Sequence, residues 1–226
     1  MLSALIKAFA QLGDPRLGRV LKIGIAVALG CWITLALTAS LVVKHTHFFD
    51  NGWADTGTGL ALGVVGLLVP LLFFSALATF VMSFFLDDVA HVVEKKHYPS
   101  LPPARDMGWR ETLLGSTRFL LVMVLVTLAA APVYLALLIF GLGILLNYAV
   151  NGYLLGREYF ELVASRRLEA EPARLLYRNN LGKLWVCGAI INLLFQIPLL
   201  NLTAPVIATA FMVHVVQGLR AKAGPL

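Results

Sequence analysis

The chain has 226 residues, of which 59% are hydrophobic and 13% charged, and its mean hydropathy is +0.84. Because a soluble domain usually carries about 25% charged residues, this composition excludes an ordinary soluble protein and indicates one helical membrane domain. The net charge of +6 comes from basic residues that flank apolar runs without interleaved aromatic side chains. That pattern argues against nucleic acid as a partner.

The N-terminal part predicts one interfacial helix and two spanning helices. Residues 1–13 are only moderately apolar and lack a small-residue cleavage site, so we expect an interfacial helix and no secretory signal. The uncharged run Ile23–Val43 has 21 residues, and a spanning helix needs about 20. It predicts a first long helix over 15–48. The next uncharged run, Thr56–Leu86, has 31 residues and predicts a second long helix over 56–98.

Two further uncharged runs, Phe119–Gly156 and Leu184–Leu219, are each interrupted by a proline. Splitting them at Pro132 and Pro198 leaves first arms of 13 and 14 residues. Such arms are about 20 Å long, short of the ~30 Å hydrocarbon core. We therefore predict an all-α integral membrane protein with two long transmembrane helices plus two hemi-penetrating helical hairpins. The predicted boundaries are a first hairpin over 110–156, a cytoplasmic helix over 157–172 and a second hairpin over 173–222.

The distribution of charge predicts the orientation. Of the 18 lysines and arginines, only Lys44 lies in the linker between the first two helices. The other 17 share the opposite side if both hairpins return to the side that they left. The positive-inside rule then places both termini in the cytoplasm.

The sequence offers no support for enzyme chemistry. Cys31 and Cys187 lie in apolar stretches, and the chain has no CxxC motif and no cluster of cysteine and histidine. Neither a disulfide framework nor a metal site is therefore expected. A nucleophile elbow, a P-loop and a dinucleotide fingerprint are also missing from the sequence, so we expect no catalytic residue and no cofactor.

The stretch GDPRLGRVLK, residues 13–22, is a candidate anion site. Pro15 suits the first turn of a helix, where its missing N–H costs nothing. Arg16, Arg19 and Lys22 follow at i, i+3 and i+6, which places their positive charge on one helical face. Free backbone N–H groups together with guanidinium groups can bind a tetrahedral oxyanion. The alternative is an ordinary positive-inside anchor or a contact with lipid headgroups.

Two other groups of polar residues accompany the predicted hairpins. Arg157 and Glu161 stand at i, i+4 and can pair along one helix face, with Glu158 on the neighbouring face. Such a pair either gates an ion path or simply holds helices together. Gln196 and Asn201 lie in the turn sequence QIPLLNLTAP, where they can satisfy turn backbone or meet water at a pore.

Three stretches resemble the CysZ sulfate-permease family of bacterial inner-membrane proteins, part of a larger group that includes the etoposide-induced transmembrane proteins. They are PRLGRVLK (15–22), GREYFELVASRR (156–167) and IPLLNLTAPVIATA (197–210). The resemblance implies two long helices and two half-membrane hairpins, assembled as a homo-oligomer around a pore in the lipid bilayer. It also implies import of sulfate, or of related oxyanions such as sulfite, for cysteine biosynthesis, without an ATP-binding subunit.

In that family an oxyanion site lies near the start of the first long helix, at a Gly-hydrophobic-Arg-Arg type of motif. Here PRLGR stands in its place: Arg19 matches the final arginine, and Gly18 replaces the preceding one. We expect Arg16, one helical turn away, to supply the displaced charge. The predicted sulfate-binding residues are Arg16, Leu17, Gly18, Arg19 and Lys22, and the predicted pore or gate residues are Arg157, Glu158, Glu161, Gln196 and Asn201.

The alternative function is a non-transporting membrane scaffold or partner-binding protein. Its basic clusters would serve lipid contacts, and it would pass no ions. Saturable binding of sulfate to the purified protein distinguishes the two hypotheses.

Overall fold

A computed structural model of the chain describes residues 1–45, 64, 81–105 and 109–223. Among these residues the regular structure is helical, with no strand. The helices are α1 (Leu2–Ala10, followed by a 3₁₀ turn over Gln11–Gly13), α2 (Pro15–His45), α3 (Leu86–His97), α4 (Trp109–Ile139), α5 (Gly143–Ala164), α6 (Ala170–Asn179), α7 (Leu181–Gln196), α8 (Pro198–Asn201) and α9 (Ala204–Ala223). The prediction of an all-α fold is confirmed.

Three of these helices are long and apolar enough to cross a membrane. Their candidate spans are Pro15–Thr38, Thr117–Leu137 and Ala204–Ala223, with mean hydropathies of 2.2, 2.5 and 1.3. None of the second window is buried within the chain, whereas 78% of the third is buried. A long helix with apolar residues on every exposed side needs an apolar solvent. The chain is therefore a membrane protein.

The first arm of the first predicted hairpin is longer than the position of Pro132 predicts. Pro132 lies inside α4, which runs without interruption over 31 residues. The predicted break at Pro132 is therefore wrong. Transmembrane helices tolerate proline because neighbouring groups and small backbone adjustments satisfy the freed carbonyl. The helix instead ends at Ile139, two residues before Gly141, whose φ of +69° suits glycine, and the Leu142 N–H donates to the Leu137 carbonyl oxygen at 2.9 Å. This is a Schellman ending, and it leaves α4 long enough to span the membrane.

The second predicted hairpin has the expected short arm. α7 ends at Gln196 after 16 residues, and Ile197 is extended, as a residue before proline tends to be. Pro198 then begins the short helix α8, and α9 follows from Ala204. At about 1.5 Å per residue α7 is roughly 24 Å long, less than the ~30 Å core. The turn in QIPLLNLTAP is confirmed.

Some other boundaries differ from the predicted ones. Residues 157–164, expected to begin a separate cytoplasmic helix, continue α5 without a break, because no helix-breaking residue stands there. A separate helix, α6, begins only at Ala170, with Pro172 in its first turn. Most of the predicted second long helix, 56–98, lies outside the described residues. Within them, a turn at Phe84 and Phe85 precedes α3.

The chain divides into two compact units, Met1–Leu17 with Leu86–Leu226, and Gly18–Phe85. In the first unit α9 lies at the centre and packs against α1, α3 and α5, and its apolar residues are buried on nearly every side. α5 and α7 approach so closely that a Cβ at Gly188 would overlap the carbonyl oxygen of Gly152. The Trp185 indole N–H also donates to the Ala149 carbonyl oxygen at 2.9 Å. In the second unit Met82 is fully buried.

Candidate functional site

A basic depression lies in the first unit, where the start of α2 meets α3. It is lined by Asp14, Arg16, Val92, Lys95 and Lys96, and has a volume of about 300 Å³. Three cationic side chains and one carboxylate therefore border one open cavity, which leaves a formal charge of +2. A cavity of this size and charge suits a small anion better than a cation.

The sequence of α3 explains why its lysines line this depression. Val89, Ala90, Val93 and Glu94 are buried against the rest of the first unit. Residues three or four apart share a helix face, so positions 92, 95 and 96 form the opposite face. Lys95 and Lys96 are exposed there, and they also stand in the last turn of α3, where cations are favoured by the helix dipole.

Asp14 caps α2 at the edge of the depression. The Arg16 N–H donates to Asp14 Oδ1 at 3.0 Å, and the Lys96 ammonium donates to Asp14 Oδ2 at 3.0 Å. The hydrogen bond from Lys96, followed by that from the Arg16 backbone, lowers the pKa of the Asp14 carboxyl. The expectation of free N–H groups at this helix start therefore needs correction: Pro15 has none, and Asp14 accepts the one from Arg16.

The five predicted sulfate-binding residues differ in exposure and in the compact unit to which they belong. Arg16 is exposed and lines the depression. Leu17 is 2% exposed and packs into the core of the first unit, so its side chain is not available to a ligand. Gly18, Arg19 and Lys22 belong to the second unit, where the arginine and the lysine are exposed.

A buried ion-pair cluster, which sequence reasoning missed, fixes α3 in place. The Glu94 side chain is 2% exposed. Its carboxylate accepts from Arg167 Nε at 2.9 Å and Nη2 at 2.6 Å, and from Arg166 Nη2 at 3.3 Å. Arg166 also pairs with Asp87, and Gln217 of α9 reaches Glu94 Oε1 at 3.5 Å. We call these five residues the Glu94 cluster.

The Glu94 cluster joins three parts of the first unit: α3, the segment after α5, and α9. The only sequence signal was the adjacent arginine pair Arg166–Arg167 at the end of a long helix. Nothing in the linear sequence connects that pair to Glu94, which lies 72 residues before Arg166.

A second polar network holds the end of α3. The Tyr98 hydroxyl lies 2.9 Å from Nδ1 of His214, and Nε2 of the same ring lies 2.8 Å from Gln11 Nε2. Gln11 and His214 are both buried. Lys95 and Lys96 therefore lie between two fixed points, the Glu94 cluster on one side and Tyr98 on the other.

The predicted gate pair on α5 is present. Arg157 Nε donates to Glu161 Oε1 at 2.7 Å, as the i, i+4 spacing predicted. The arginine side chain is 12% exposed and the glutamate 42% exposed. Glu158 lies nearby on α5 and is exposed. This geometry is compatible with either role considered for the pair.

Gln196 belongs to a group of polar side chains between α5 and α7. Its amide nitrogen donates to Asn147 Oδ1 at 3.1 Å, and its amide oxygen accepts from the Tyr148 hydroxyl at 3.3 Å. Asn192 also donates to Asn147 Oδ1, at 3.0 Å. Gln196 thus binds side chains of the neighbouring helix. Asn201 is half-buried at the end of α8, and its backbone N–H donates to the Ile197 carbonyl oxygen at 2.8 Å.

Among the described residues, no three histidine, cysteine, aspartate or glutamate side chains are grouped so that they could hold a metal ion. The free cysteines are Cys31, which is exposed, and Cys187, which is buried.

Comparison with known proteins identifies one family. The family model described as "Sulfate transporter CysZ/Etoposide-induced protein 2.4" matches residues 4–205. The match includes the whole basic depression, the Glu94 cluster apart from Gln217, and the polar residues between α5 and α7. No curated protein and no solved structure matches the chain.

Proposed function

Because the chain belongs to the sulfate transporter CysZ/etoposide-induced protein 2.4 family, we propose that it is a sulfate permease that binds its ion in the basic depression. The observation that carries the proposal is the convergence of Arg16, Lys95 and Lys96 on one cavity of about 300 Å³. Guanidinium and ammonium groups give charge-assisted hydrogen bonds to an oxyanion, and these are about twice as strong as neutral ones.

The depression is suited to an ion that must bind and then leave. Sulfate loses part of its hydration on entering a site, and protein donors have to replace it. A transport site must bind the ion strongly enough for entry and weakly enough for release. Lys96 is 51% exposed, so water still screens its charge and moderates the affinity. An enclosed site with the same charges would hold the dianion more tightly.

We also propose Gly18, Arg19 and Lys22, which belong to the second unit, as sulfate-binding residues. Arg19 and Lys22 are exposed cations, which supports their assignment as donors to an anion. The Leu17 side chain is buried, so its contribution would have to come from the backbone.

For the cytoplasmic mouth we propose a gate formed by Arg157, Glu158 and Glu161. The ion pair between Arg157 and Glu161 at 2.7 Å supports it, because such a pair can exchange partners with a passing anion. For the pore wall we propose Gln196 and Asn201. Both stand at the turn between α7 and α9, whose shorter arm does not reach across the membrane.

We place the protein in the bacterial inner membrane, with both termini cytoplasmic, and assign it to sulfate uptake for cysteine biosynthesis. The charge distribution supports this orientation, since only one of the 18 lysines and arginines, Lys44, lies between the first two uncharged runs. We also propose a homo-oligomer. The apolar surface of α4, none of whose spanning window is buried, is available to lipid and to further copies of the chain.

Calorimetric titration of sulfate into the purified, detergent-solubilised protein tests this proposal. We expect saturable binding that sulfite or a tetrahedral oxyanion similar to sulfate competes and that chloride does not. In the variants Arg16→Ala and Lys96→Ala the affinity should fall about tenfold, which is about 1.4 kcal/mol per lost charge. Lys222→Ala removes an exposed lysine outside the depression and should bind as wild type does. Equal loss in all three variants would indicate general electrostatics, and no sulfate binding by wild type would favour a membrane scaffold.

A further inference from the structure

We infer that Asp14 is a tethered competitor of the transported anion, which weakens sulfate binding in the depression and so permits release. This inference rests on the proposed function, because it assigns a role to the one carboxylate that borders the cavity.

Asp14 uses two of the groups that an oxyanion would use. Its Oδ1 accepts the Arg16 N–H at 3.0 Å, and Pro15 offers no N–H of its own, so the first backbone donor of α2 is taken. Its Oδ2 accepts from Lys96 at 3.0 Å. A sulfate entering the cavity meets a carboxylate that already occupies both donors.

The two contacts differ in how easily they are exchanged. The contact with the Arg16 N–H is an N-cap bond, which holds the start of α2 in place. The contact with Lys96 depends on a long side chain that is 51% exposed, whereas the Asp14 side chain is 15% exposed. Arriving sulfate therefore takes Lys96 away from Asp14, while Asp14 keeps its place as the cap.

This exchange keeps Lys96 paired in both states, with Asp14 when the site is empty and with sulfate when it is filled. Asp14 remains beside the bound dianion and repels it. The carboxylate also reduces the formal charge of the depression from +3 to +2. Both effects lower the affinity, which favours a short residence time.

Substitution of Asp14 by asparagine separates this role from capping. Asparagine is as good an N-cap as aspartate, so Asp14→Asn removes the charge and preserves the helix start. We expect this variant to bind sulfate about threefold to tenfold more tightly than wild type, from the loss of one screened repulsion at close range. Its melting temperature should stay close to that of wild type. Asp14→Ser, which also caps, is the second variant and should show the same direction.

Two results overturn the inference. If wild type binds sulfate and both capping variants bind it equally or more weakly, Asp14 is a structural cap or a direct contributor to the site, and only the inference fails. If neither wild type nor the variants bind sulfate, the proposed site fails and the inference fails with it. Tighter binding by both variants supports it, and slower release measured by rapid dilution should accompany the gain.

Discussion

Neutralising Glu94 should destabilise the protein far more than neutralising an exposed glutamate does. In Glu94→Gln the buried Arg166 keeps Asp87 as a partner, but Arg167 loses its carboxylate. Removing one partner of a buried ion pair costs about 3–5 kcal/mol. We take about 3 kcal/mol because Arg167 still donates to the Pro102 carbonyl oxygen. For a chain of this size each kcal/mol shifts the melting temperature by about 2–4 °C, so the expected loss is about 6–12 °C.

The assay is the apparent melting temperature of the detergent-solubilised protein, with Glu171→Gln as the matched control. Glu171 is 78% exposed and lies 3.9 Å from Arg174, and an exposed pair of this kind is worth about 0–1 kcal/mol. Adding Arg167→Gln to Glu94→Gln removes the unpaired charge and should recover part of the loss. Equal melting temperatures for Glu94→Gln and Glu171→Gln would refute the conclusion that the Glu94 cluster holds α3 in place.

Three further predictions concern other parts of the first unit. Gly188→Ala should prevent α5 and α7 from packing and sharply reduce the yield of folded protein. Gly182→Ala is the control and should not reduce it, because a Cβ there meets nothing within 4 Å. Equal yields for the two variants would contradict the observed packing. Tyr98→Phe removes the hydrogen bond to His214 of α9 and should lower the free energy of unfolding by about 1 kcal/mol, as measured by thermal unfolding. The pKa of the Asp14 carboxyl is lowered in the folded protein. Its pair with Lys96 therefore contributes stability at any pH above the ordinary aspartate pKa, and this stability is lost as the pH falls through the lower pKa of the folded protein. In the sulfate-free protein, the difference in melting temperature between wild type and Asp14→Asn should therefore be the same at about pH 5 and about pH 8, and a difference that changes over this range would contradict that assignment.

The parts of the fold that sequence predicted correctly are those encoded over a few neighbouring residues. Pro15 marks the start of α2, and Pro198 marks the end of the short arm α7, because a proline acts on the backbone next to it. Pro132 shows the limit of this reasoning. Its local effect on the backbone is the same, but the helix continues through it, and the stop signal is Gly141 nine residues later.

The contacts that shape the site could not be predicted, because they join residues far apart in the chain. Arg16 was identified from its own surroundings, as a cation in the first turn of a helix. Lys96 lies 82 residues from Asp14, and only the packing of α3 brings the two together. Glu94 stands among other charged residues in the sequence, and its burial depends on arginines of a distant segment.

The uptake of radiolabelled sulfate into proteoliposomes tests the central claim most directly. Wild-type protein should give saturable entry well above that of protein-free vesicles, Lys222→Ala should match it, and the double variant with Arg16→Ala and Lys96→Ala should lose most of it. Entry no faster than in protein-free vesicles, or full entry through the double variant, would contradict the account.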